Sequence, residues 1–140
     1  MNIEELEAQL PNGLHDSLLR TFSSDPQEGR AEFILDVWIG DLKSQTTSER
    51  ERRRAARLEL LGLAYLVVDV PDPSYRFRDP SPVQIDTCVA DDDLVRAGQL
   101  PEGGFAGRFF VAEWNSFIHF AALDACLTWS DDNSELGDGD

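Results

Sequence analysis

His15 and Asp16 are adjacent in this chain, and their residue types could serve acid–base or metal chemistry. A His-Asp dyad holds a metal only with further histidines and another aspartate around it. The sequence supplies one other histidine, His119. Two imidazoles with carboxylates are ligands of the right kind. The plainer reading has Asp16 and Asn12 satisfying backbone groups at a turn, with His15 starting a strand. His119 stands within Phe117-Ile118-His119-Phe120. It is expected in mid-strand with a hydrogen-bond partner, rather than as a general base, because a half-buried imidazole needs one. If the two histidine-bearing strands are neighbours, His15, Asp16 and His119 meet in a pocket; their spacing leaves this open.

Other searches for chemistry return little. Asp91-Asp92-Asp93 and the acidic C-terminal end lack the glycine at loop position six and the glutamate at twelve of a calcium loop. The triplet reads instead as the acidic start of a short helix ending at Gly98. There is no G-x-S-x-G, no phosphate-binding G-x-x-x-x-G-K-[ST] and no G-x-G-x-x-G. Cys88 and Cys126 are isolated thiols with no activating base nearby in sequence. The expectation is a protein without catalytic residues, bound metal or cofactor.

Charge narrows the partners. The chain has 27 acidic residues against 12 basic ones, a formal net charge of −15 over 140 residues. Nucleic acid is an unsuitable ligand, because phosphate binding needs a basic footprint. The basic cluster Arg50, Arg52, Arg53, Arg54 and Arg57 is interleaved with Glu49, Glu51 and Glu59. It is expected to pair internally with the acidic body, with an interface role second. No apolar run reaches the roughly 18 residues of a membrane span. Met1-Asn2-Ile3-Glu4-Glu5 has neither a basic n-region nor an apolar h-region, so no signal peptide is expected. With two isolated thiols, a reducing, cytoplasmic setting is the simplest reading.

The elements that would position these residues are mostly strands. Asn2 and Glu5 have capping-box spacing for a short helix over 2–10, with Ile3, Leu6 and Leu10 on one face. Pro11-Asn12-Gly13 breaks it. Leu18, Arg20 and Phe22 alternate with Leu19, Thr21 and Ser23. After the turn at 25–29, Phe33, Leu35, Val37 and Ile39 alternate with Glu32, Ile34, Asp36 and Trp38, which predicts a hairpin. Residues 42–54 read as a loop, a strand end or one helical turn. A long strand is expected over 57–70, its apolar later part covered on both sides. Prolines make 71–84 irregular, with a short strand near 83–89. Phe105–Glu113 and Ser116–Trp129 form a last hairpin turning near Trp114-Asn115.

The expected fold is α+β and mostly β: a rolled or barrel-like antiparallel sheet of five or six strands with two short helices. Phe33, Leu35, Val37, Phe117 and Leu123 are expected inside. Residues 1–130 make a single domain, and 131–140 an acidic, flexible tail.

Pro11-Asn12-Gly13-Leu14-His15-Asp16 and Trp114-Asn115-Ser116-Phe117-Ile118-His119-Phe120 together carry a resemblance. The chain resembles small uncharacterised bacterial proteins with an N-terminal NGxHD motif, some of them similar to immunity proteins of polymorphic toxin systems. The resemblance implies an acidic, mostly-β, cytoplasmic domain that neutralises a toxin by binding it, and it implies no catalytic residues.

The favoured function is a non-enzymatic module binding a basic protein. Trp38 among Glu32 and Asp36 is a candidate anchor, unless a covering element makes it core. His15, Asp16, His119, Trp114 and Asn115 complete the candidate binding residues. The alternative is a small-ligand binder or enzyme using His15, Asp16 and His119 in a pocket of the sheet. Pairing of exposed sheet edges into a homodimer stays open.

Overall fold

A computed structural model describes residues 1–78, 81–90 and 92–131, and the backbone of 135–136. The elements run α1 (Ile3–Ala8), β1 (Pro11–Leu14), β2 (Ser17–Asp25), β3 (Arg30–Trp38), α2 (Thr47–Arg50), β4 (Arg53–Leu61), β5 (Tyr65–Val68) and β6 (Val83–Cys88). They continue as α3 (Asp92–Gly98), β7 (Phe105–Val111), a 3₁₀ turn (Ala112–Trp114), β8 (Ser116–Ala122), β9 (Asp124–Trp129) and β10 (Glu135–Leu136). One antiparallel sheet has the order β10-β9-β4-β3-β2-β6-β7-β8-β5. Among the described residues, no helix is long and apolar enough to cross a membrane.

The fold is mostly β, with more strands than expected, because two long strands break and the short β1 and β10 are added. The described residues form three helices rather than two, α2 being the extra one. Gly62 (φ +64°) separates β4 from β5, and Leu123 separates β8 from β9. The four pieces stay paired across the break. Leu61 faces Asp124 and Tyr65 faces Ala121, while the Leu123 amide donates to the carbonyls of Leu61 and Gly62. A Cβ on Gly62 would stand 2.7 Å from a Leu123 methyl, so glycine fits both the dihedral and the close approach.

The sheet is not closed, yet it is strongly curved. β3 and β7 are three places apart in the order. On a flat sheet that is about 14 Å. The Phe33 and Phe109 rings nevertheless meet edge-on at 5.3 Å, and Phe109 meets Phe120 at 4.9 Å. The concave side is the core, formed by alternate residues: Phe33, Leu35 and Val37 of β3, Leu58 and Leu60 of β4, and Phe109 and Val111 of β7, all fully buried. α1 fills the concave side at the start of β7, its Ile3 beside Gly107. Its capping box forms as expected: Asn2 accepts from the Glu5 amide at 2.8 Å, and Glu5 accepts from the Asn2 amide at 3.3 Å.

The expected interior needs two corrections. Phe117 and Leu123 are not inside; Phe117 is half-buried on the convex face and Leu123 is 49% exposed. The positions of this segment that face the core are Ile118, Phe120 and Ala122, then Ala125, Leu127 and Trp129, although Ser116, His119, Ala121 and Cys126 are buried too. The extra residue at Leu123 shifts the alternation by one, as a bulge does.

Of the stretch 131–140, Asp131 receives a bidentate hydrogen bond from Arg54, and Glu135 and Leu136 pair with Thr128 and Leu127. Residues 132–134 and 137–140 lie outside the described residues, as does Asp91 of the acidic triplet.

Candidate functional site

β2 pairs with β6 only from Ser17 to Leu19, while its other side follows β3 as far as Asp25. Two features part the strands. Pro82, just before the Val83 that faces Leu19, has no N–H with which to extend the ladder. A register shift between Leu19 and Thr21 bends β2. Between the parted chains opens a cleft of about 710 Å³, lined by Leu19–Phe22 of β2, by Val68–Pro71 after β5, and by Tyr75, Phe77, Ser81–Val83 and Trp114.

Its centre is aromatic. The Trp114 ring lies 5.9 Å from Tyr75, 5.9 Å from Phe77 and 6.3 Å from Phe22, and Tyr75 meets Phe77 edge-on at 4.9 Å. Trp114 is buried, and its indole Nε1 has no hydrogen-bond partner among the described residues. Such an orphaned donor is costly in a fold. Phe77 is 68% exposed at the opening.

Two charged residues line the cleft, and each has a partner outside it. Arg20 pairs with Asp36 at 2.5 Å. The hydrogen bond that Arg20 donates to Asp36, and then the charge of Asp36, raise the Arg20 pKa further above an already high value. Asp69 accepts a hydrogen bond from His119 Nε2 at 2.9 Å. Next to the cleft, Asp72 receives the Ser74 hydroxyl at 2.6 Å and the Ser74 amide at 2.8 Å. These bonds favour the anion and hold the Asp72 pKa below its usual range.

No family model, curated protein or solved structure matches the chain.

The sequence-derived residues divide between this cleft and other places. Trp114 lines it; His119 and Asp36 reach it through Asp69 and Arg20. Asn115 takes φ +48° and closes the β7–β8 turn, donating its amide to Ala112. Glu32 lies 3.7 Å from Arg57 on the convex side. Trp38 is half-buried beneath the 40–50 segment, its Nε1 donating to the Arg50 carbonyl at 2.7 Å. A second, shallower hollow of about 480 Å³ is lined by Trp38, Asp16, Arg50, Arg53 and Gln84, among others.

His15 is exposed, with Nδ1 3.3 Å from Asp86. Asp16, at φ +54°, donates its amide to the same carboxylate and accepts from Gln84. The two histidines therefore hold different carboxylates. From Asp86 the ladder crosses to Phe110 and then to Phe117, two residues short of His119. Phe117 carries the Arg108 guanidinium 4.1 Å above its ring. Cys88 faces Arg108, which faces His119, so the thiol and the imidazole stand two strand spacings apart, about 10 Å. That is beyond the reach of a nucleophile–base pair. Among the described residues, no three His, Cys, Asp or Glu side chains converge as a metal ion needs.

Four of the five arginines of the cluster, all but the exposed Arg52, are engaged within the molecule. Arg50 donates to the Ser44 carbonyl, Arg53 to that of Asp16, and Arg57 lies near Glu32 and Glu59. Arg54 binds Asp131 while lying 4.3 Å over the Trp129 ring.

Sequence reasoning passed over Asp69, Phe22, Tyr75 and Phe77. A signal existed for the last two: both are aromatics inside the proline-rich 71–84 stretch, where no strand buries them.

Proposed function

We propose that this protein is a non-enzymatic binding module for a basic protein, with the aromatic cleft as the dock. The net charge of −15 speeds encounter with a basic surface. The Trp114, Tyr75, Phe77 and Phe22 rings offer an arginine, lysine or aromatic side chain a desolvated seat, the kind of contact that carries most interface energy. That cluster is the single observation on which the reading rests. Neutralisation of a toxin, as in the immunity proteins the sequence resembles, is its concrete form. Two cysteines without a C-x-x-C spacing, Cys88 and Cys126, suit a reducing compartment, and we take the cytoplasm as its place.

The test is capture of partners with the wild-type protein and with Phe77→Ala as baits, followed by binding kinetics. A basic partner is expected, lost or weakened with the variant and associating more slowly as salt rises. An acidic partner, or an on-rate indifferent to salt, refutes the reading.

The cleft volume also lies within the range of small-molecule sites. A ligand-binding role is the second reading. His15 and Asp16, which lie outside the cleft lining, would take no part in it, and His119 would act only through Asp69.

A further inference from the structure

The edge of β2 that β6 vacates is the second feature of the cleft. Beyond Leu19, the residues Thr21 to Asp25 keep β3 on one side and, among the described residues, have no strand on the other. Among the described residues, no hydrogen bond from the 69–83 segment reaches them. A strand edge of five residues that has no main-chain partner on one side among the described residues is a template for another extended chain. Most of its side chains are exposed, and Thr21 and Phe22 also line the cleft.

We propose that β2 takes up an extended, basic segment of the partner as an added strand, which directs one of its side chains into the aromatic cleft. This deepens the reading above and rests on it. The register explains the fit. Pro82 ends the β6 ladder opposite the bulge, so an incoming strand continues the row that β6 leaves, beside the rings of Phe22 and Trp114. Charge selects the occupant. Asp69 lines the cleft and Asp72 stands beside it, while Arg20 and Asp36 neutralise each other. Arg76 and Arg78, in the same loop, are exposed and do not line it. A second copy of this chain would bring −15 against −15, so self-pairing is opposed.

The probe is a synthetic nine-residue peptide alternating arginine and valine about a central tryptophan. Two derivatives carry N-methyl groups on alternate amides, one set for each edge of the extended chain. Charge and side chains are unchanged, and the protein itself is not altered. The expected result is binding by the parent peptide, a loss of about tenfold in affinity for one methylated form only, and slowed amide exchange over residues 21–25. Equal binding by both methylated forms, or unchanged exchange at 21–25, overturns strand addition. If that binding still weakens in Phe77→Ala, the basic-partner reading stands without it. A parent peptide that does not bind also overturns strand addition, and the capture experiment then decides the wider reading alone. Pairing of two protein copies at 21–25 in the absence of peptide would replace the basic segment with self-association.

Discussion

His119 and Asp69 are fifty residues apart in the chain and 2.9 Å apart in the fold. The contact joins the middle of β8 to the residue after β5, whose amide also donates to the Phe117 carbonyl at 2.9 Å. It fixes one wall of the cleft from behind. His119→Ala removes a buried imidazole and leaves Asp69 without it. We expect a loss of about 1 to 3 kcal/mol in urea unfolding. Asp69→Asn should cost less, because that carboxylate is partly solvated. Equal stability of wild type and His119→Ala would contradict this role.

Gly40 permits the packing over Trp38. A Cβ there would stand 2.0 Å from the Arg50 carbonyl oxygen and 2.6 Å from Trp38 Nε1. The first obstacle is backbone and cannot swing aside. Gly40→Ala should destabilise the fold by about 1 to 3 kcal/mol and redden the tryptophan emission as Trp38 loosens. Thermal unfolding indistinguishable from wild type would contradict it.

Phe77 separates binding from folding. Its ring is largely exposed, whereas Trp114 is buried, so Phe77→Ala should leave the melting temperature nearly unchanged. Partner affinity should fall by about tenfold or more, the usual cost at an anchoring aromatic. Trp114→Ala should lower both, by about 3 to 5 kcal/mol in stability. An unaltered affinity in Phe77→Ala would remove the cleft from the interface.

Asp72 reports the local order of the loop beside the cleft. Its carboxylate titrates below the usual range because Ser74 bonds the anion. The folded value is the lower one, so the contribution to stability is present above the unfolded pKa and is lost as pH falls through the folded pKa. Ser74→Ala should move the Asp72 titration upward toward the ordinary value, as followed by carboxyl NMR. No movement would show that the hydrogen bonds are not kept in solution.

The sequence by itself determined the local elements. The Asn2–Glu5 cap, the alternation through Phe33, Leu35 and Val37, the turn at Trp114-Asn115 and the mostly-β class depend on neighbours a few residues away. Tertiary structure alone decided which residues meet. The breaks at Gly62 and Leu123 follow from packing one long strand pair against a curved sheet, and the second break reversed the expected faces of Phe117 and Leu123. The partners of His15 and His119 depended on strand order, which places Asp86 and Asp69 in different columns of the sheet. The cleft arose where β2 leaves β6, and its aromatics come from β2, an irregular loop and a turn. A strand's period states which residues share a face, but not which strand lies alongside, because that depends on the lowest free energy over all long-range pairings at once.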